Sequence, residues 1–175
     1  MSPDAVPEVS RPDPDDPDSR PAESVDRYPR PPRLERVPWR IRVELGGETV
    51  AETTRALRVC ETFGAPTYYI PPEDVRTDLL EQAPGGSSFC EWKGRARYWT
   101  VEAGGRTAER AAWSYPDPTP SFRPLRDHLA FYVGKMDACW VDGDRAEPQP
   151  GGFYGGWVTP EISGPIKGAP GTRGW

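Results

Sequence analysis

The sequence predicts a mainly β, compact antiparallel single domain with short helical turns, and three observations carry that expectation. Short runs of alternating polar and apolar residues recur from Arg40 onward. Turn-forming pairs such as Gly46-Gly47, Gly104-Gly105 and Asp142-Gly143 separate them, the pattern of hairpin-linked strands. The length of 175 residues favours one domain with extensions.

The elements follow in order. Arg40-Ile-Arg-Val-Glu-Leu45 alternates, Gly46-Gly47 turns, and Glu48-Thr-Val-Ala-Glu52 returns. Leu57-Arg-Val-Cys-Glu61 alternates again, with Leu57, Val59 and Glu61 on one side. Thr67-Tyr-Tyr-Ile70 is a β-favouring run stopped by Pro71-Pro72. Glu73 to Glu81 reads as a short helix, started by Pro72 with acidic residues near its beginning and ended by Pro84-Gly-Gly86.

Ser88 to Val101 reads as one strand. Its charges, Glu91, Lys93, Arg95 and Arg97, fall on odd positions, while Cys90, Trp92, Ala96 and Tyr98 fall on even ones. One face is therefore charged and the other small or aromatic, with Gly94 marking a bend or a close backbone approach. Arg106 to Tyr115 is a second long strand, and Pro124 to His128 one helical turn. Leu129–Val133 and Ala138–Val141 are two further strands.

Composition divides the rest. Residues 1–36 are dominated by Pro, Asp, Glu, Arg and Ser, and read as a disordered, solubilising or partner-binding tail ahead of a β domain over 37–147. Residues 148–175 are Gly- and Pro-rich yet hold Phe153, Tyr154, Trp157, Ile162 and Trp175, so part of this strap is expected to lie against the domain surface. The net charge of −5 lacks the basic footprint of a nucleic-acid binder. No stretch is apolar enough to cross a membrane, and Met1 to Glu8 lacks the features of a secretory signal. Three widely spaced cysteines, Cys60, Cys90 and Cys139, fit a reducing cytoplasm better than a disulfide framework. There is no Cys-x-x-Cys and His128 is the only histidine, which argues against a structural Cys₄ or Cys₂His₂ zinc site; no metal site and no cofactor are predicted.

An ordered set of motifs carries a family resemblance. Leu57-Arg-Val-Cys-Glu61, Tyr68-Tyr-Ile-Pro71, Asp74-Val75, Cys90-Glu-Trp-Lys-Gly94 and Ala96-Arg-Tyr-Trp99 come first. Ala112-Trp-Ser-Tyr-Pro116, Ala130-Phe-Tyr132 and Val141-Asp-Gly143 follow. Together, over residues 39–145, they resemble the bacterial domain of unknown function 427, and the C-terminal strap looks like an actinobacterial variant. The resemblance implies a β-tent-like architecture similar to methionine sulfoxide reductase B and to the Mss-four and cereblon ligand-binding domains. Those relatives usually hold zinc on two Cys-x-x-Cys knuckles, which this chain lacks. The family has also borne a nucleotidyltransferase label. The Asp-x-Asp expected after Gly85-Gly-Ser-Ser88 is missing, and Asp142-Gly-Asp144 is better explained as a hairpin turn.

The chemistry-bearing residues cluster in these motifs. Lys93, beside Gly94 and among aromatics, is a candidate base, Schiff-base nucleophile or anion anchor; the ordinary alternative is a solvent-facing lysine. Glu61 shares a face with Leu57 and Val59, so an inward carboxylate needs a cationic partner. A catalytic Glu61–Lys93 proton-transfer pair is the economical hypothesis. Tyr69, Trp92, Trp113 and Tyr115 are expected to line a pocket for an unidentified small molecule, with core packing as the alternative. Cys90 is a weaker redox candidate, because free cysteines usually sit in cores. Two functional classes follow: a small-molecule-binding β domain with enzyme activity, or a noncatalytic module whose tails contact a protein partner.

Overall fold

The computed structural model describes residues 6–90, 92–168 and 171–172. Strands β1 (Glu23–Ser24), β2 (Arg33–Arg36), β3 (Ile41–Leu45), β4 (Glu48–Thr53), β5 (Leu57–Cys60) and β6 (Thr67–Tyr69) come first. Then follow β7 (Leu80–Gln82), β8 (Ser88–Cys90), β9 (Gly94–Ala103), β10 (Arg106–Ser114) and β11 (Ala130–Phe131). The chain closes through β12 (Ala138–Val141), β13 (Asp144–Arg145), β14 (Glu147–Pro148), β15 (Trp157–Val158) and β16 (Ile162–Ser163). They form antiparallel sheets ordered β13-β12-β3-β4, β11-β10-β9-β7 with β8 on β9, and β2-β5-β6. Strand β14 pairs with β15 antiparallel, and β1 with β16 in parallel. Among the described residues no helix is long and apolar enough to cross a membrane.

The hairpin β3–β4 forms as expected, turning on Gly46 and Gly47 at φ 61° and 80°. Its turn abuts the β9–β10 turn so closely that a Cβ on Gly46 would lie 2.0 Å from the Ala103 carbonyl oxygen. Strands β9 and β10 serve two cores. Val101, Ala103, Ala111 and Ala112 join the main cluster around Trp39, Ile41, Val43 and Phe131. Ala96, Trp113 and Tyr115 join a second cluster with Leu57, Val59, Tyr69 and Leu125.

Five expectations need correction. The helix read over Glu73–Glu81 is two 3₁₀ turns, Pro72–Asp74 and Thr77–Leu79, running into β7. Sheet bonding takes the middle of the segment: Val75 bridges Ala51, and the Arg76 N–H donates to the Val50 carbonyl at 2.8 Å. So short a helix cannot compete with that pairing. The single strand read over Ser88–Val101 is the hairpin β8–β9, in which Cys90 pairs with Gly94. Gly94 at φ 111° permits the reversal. The helical turn read at Pro124–His128 lies earlier, at Pro120–Leu125. The strand read over Leu129–Val133 shortens to Ala130–Phe131.

The fifth correction concerns residues 6–36, read from composition as a disordered tail. Strand β2 pairs along all of β5, and Val25 and Tyr28 are buried with Cys60, Ala65 and Ile162. The charges of this segment find partners in the domain. Arg11 forks onto both Asp142 oxygens at 2.8 and 2.9 Å. Arg20, its side chain 3% exposed, contacts Asp142, Asp144 and Glu161. Arg58, 1% exposed, joins Glu23 and Glu35. Average composition treats such charges as solvated and hides how few apolar anchors suffice. Residues 1–5 of the predicted tail, and Trp175 of the strap, lie outside the described residues.

The ion network makes stability acid-sensitive. Burial raises the Asp142 carboxyl, but bonds from Arg11, the Arg40 N–H and Arg20 outweigh it and hold the group below its usual range. Glu161 is lowered on balance in the same way, chiefly by Arg20. A carboxyl lowered in the folded state contributes in full above its ordinary value and loses that contribution as pH falls through the folded one. Stability to denaturant should therefore be flat down to about pH 5 and fall below about pH 4, given ordinary carboxyl values near 3.9 and 4.3. The fall should be shallower in Arg20→Ala, and an identical pH profile for the two proteins would contradict this assignment.

Candidate functional site

A cleft of about 310 Å³ opens over the second core cluster. Its floor comes from β5, β6 and β10. Regular alternation carries Val59 and Glu61 to the same side, as the sequence indicated, and both line the cleft. Tyr69 reaches it from β6, while Trp113 and Tyr115 come from β10 and its end. The Tyr69 and Trp113 rings meet edge to face at 6.3 Å, and the Trp113 Nε1–H donates to the Tyr69 hydroxyl at 3.4 Å. Tyr132 packs on Trp113 at 4.6 Å. Burial pushes the Tyr69 and Tyr115 phenols well above their ordinary value. Burial and neighbouring Tyr98 push Tyr132 up to about 12. These walls are therefore uncharged at neutral pH.

One side of the cleft is the β8–β9 hairpin. Its turn carries Trp92 and Lys93, and Thr119 pins both: its hydroxyl donates to the Trp92 carbonyl and its N–H to the Lys93 carbonyl at 3.0 Å. Lys93 Nζ sits 6.0 Å from the centre of the Tyr115 ring. Cys90, Ser88 and Tyr98 also line the space, and Ser88 Oγ lies 2.7 Å from the Tyr98 hydroxyl. Strict alternation would set Cys90 and Lys93 on opposite faces. The turn between them brings both to the cleft.

The other side is the C-terminal strap. Lys167 is 7% exposed, and its Nζ bonds Glu61 Oε1 at 3.1 Å over the Tyr154 ring. Gln149 braces the strap, accepting from the Ala65 N–H and donating to the Lys167 carbonyl, both at 3.1 Å. Backbone lies directly on the indole, for a Cβ on Gly155 would fall 2.1 Å from Trp113 Cη2.

All the sequence-predicted candidates, Glu61, Tyr69, Cys90, Trp92, Lys93, Trp113 and Tyr115, line this cleft. The proposed Glu61–Lys93 pair is not what forms, because the ion-pair partner of Glu61 is Lys167. Cys90 is the one partly exposed cysteine; Cys60 and Cys139 are buried. Burial pushes the Cys60 thiol up to about 12. Lys167, Gln149, Tyr154 and Tyr132 escaped the sequence reading. The available signal was the adjacent Gly155-Gly156 in an aromatic-rich segment, since such pairs mark close backbone approach.

The fold and the cleft together define an antiparallel β domain with an aromatic-walled, lysine-edged recess. The chain belongs to the family described as Domain of unknown function (DUF427), whose model, labelled NTP_transf_9, matches residues 33–142. No curated protein matches it. The matched span holds every candidate named from sequence and stops short of Gln149, Tyr154 and Lys167. The label finds no metal-binding donor set among the described residues, where no three His, Cys, Asp or Glu side chains are grouped to hold an ion. Asp142 and Asp144 are both engaged by Arg20.

Proposed function

We propose that the protein binds a small organic molecule in this cleft, with Lys93 as its polar contact. The observation that carries the reading is the convergence of Lys93 with Tyr69, Trp113 and Tyr115 around one recess. A mostly aromatic concavity with a few placed polar groups is the usual form of a small-molecule site. Glu61 acts at one remove, holding the strap through Lys167. A proton-transfer role for Lys93 belongs to the same reading, because its side chain lines the recess.

Ligands that bind only the folded state raise the denaturation midpoint. Across a panel of small organic acids, alcohols and amides, some members should raise the midpoint of wild type. Lys93→Met should keep the unliganded midpoint and bind those members at least tenfold more weakly, a loss of about 1.4 kcal/mol or more. Equal ligand responses in the two proteins would contradict the role given to Lys93.

A second reading, a noncatalytic interaction module, is favoured by Phe89 and Phe153 at the cleft mouth, which are 69% and 72% exposed. Exposed aromatics often mark contact surfaces. A protein partner captured by wild type and lost with Phe89→Ser/Phe153→Ser, with the small-molecule panel silent, would favour the module.

A further inference from the structure

Charge inside the cleft narrows the ligand class. Besides the neutral phenols and the Cys90 thiol, the ionisable side chains lining it among the described residues are Glu61, Lys93 and Lys167. Glu61 and Lys167 neutralise one another at 3.1 Å. Lys93 has a ring face beneath it and no carboxylate partner among the described residues. Among the described residues, two lysines against one carboxylate leave a single uncompensated positive charge.

Three ligand classes then separate on elementary grounds. A cation would have to share the site with ammonium groups already over Tyr115 and Tyr154, and like charges in a partly desolvated recess repel strongly. A neutral molecule would displace water from Lys93 and offer at best an uncharged acceptor, leaving the charge uncompensated, and an unpaired charge is costly to desolvate. A singly charged anion completes the pair. A doubly charged one would bring in an excess charge with nothing to meet it. The walls add shape, since the small exposed parts of Trp113 and Tyr115, 7% and 5% of each residue, line the recess with aromatic edge, and the volume of about 310 Å³ suits a molecule of one or two fused rings.

We infer that the cleft takes a planar aromatic monocarboxylate, with its carboxylate on Lys93 Nζ and its ring against Trp113 and Tyr115. This inference rests on the small-molecule reading above and specifies its chemistry. Such an arrangement is a charge-assisted hydrogen bond beside an aromatic surface, which combines the strong polar contact with most of the apolar burial.

The test compares naphthoate, naphthamide, naphthylmethylammonium and adenosine monophosphate by NMR titration of the full chain, following the indole N–H signals of Trp92 and Trp113. Naphthoate should bind at least tenfold tighter than naphthamide, with the ammonium compound weakest and the nucleotide weaker than naphthoate. Lys93→Met should erase the preference for the acid over the amide. Naphthamide, the cation or the nucleotide matching naphthoate, while the Trp113 signal still shifts, overturns the monocarboxylate and leaves the small-molecule reading standing. A preference unchanged in Lys93→Met overturns the anchor. If none of the four shifts the Trp113 indole, both fall. The ligand comparison on wild type holds whether or not the variant folds.

Discussion

Replacing Trp157 with alanine is expected to cost about 3–5 kcal/mol of stability, the usual range for truncating a buried aromatic. Trp157 belongs to the strap, outside the family match, yet it is fully buried in the main core. Its ring packs on Tyr68 at 5.2 Å, and its Nε1–H donates to the Phe131 carbonyl at 3.1 Å. The Trp157 backbone N–H also donates to the Pro66 carbonyl at 2.8 Å. Truncation leaves a cavity and a buried carbonyl without its donor. It also frees the strap that carries Gln149, Tyr154 and Lys167 to the cleft. Trp157→Phe keeps most of the packing and should lose about 1–2 kcal/mol, the share of the hydrogen bond and the smaller ring. Urea unfolding with unchanged slope measures both. A loss below about 0.5 kcal/mol for the alanine variant, typical of a surface site, would show that the strap is not seated in the core.

Replacing Arg20 with alanine is expected to be of similar size, about 3–5 kcal/mol, because it removes one partner of a buried ion cluster. Arg20 ties the N-terminal segment to the β12–β13 turn through Asp142 and Asp144, and to the strap through Glu161. Its guanidinium spreads over three carboxylates, an arrangement a single ammonium cannot reproduce. Arg20→Lys should therefore recover only part of the loss. For a domain of this size the alanine variant should melt roughly 6–20 °C lower. Residues 6–22 should then become protease-sensitive before the rest of the chain. Unaltered melting would mean that the clasp is a surface ion pair worth little.

The alternation of β3, β4 and β5 was legible because each has one periodicity and a marked end. Glu61 was traced to the cleft side on that basis alone. The β8–β9 hairpin was not, because its turn falls inside a run that keeps odd–even order by chance: Glu91 and Lys93 look like members of the charged face that Arg95 and Arg97 occupy. Gly94 was the visible trace of the reversal, and its positive φ is what a turn there requires. Lys93 stands out for that neighbouring glycine, and the turn that replaces the single strand is what brings it to the cleft. The Glu61–Lys167 pair spans more than a hundred residues and depends on where the strap runs, which no local pattern encodes. The same holds for Arg20 and Arg58: their burial follows from carboxylates brought to them by the tertiary fold.

The central claim is that the recess edged by Lys93 is a binding site for small molecules. Crystallographic fragment screening of the full chain tests it most directly. The account predicts fragment density between Lys93, Trp113 and Tyr115, with carboxylic acids enriched among the fragments that bind and their oxygens on Lys93 Nζ. Fragments distributed over other surfaces, with the recess empty across the library, would contradict it.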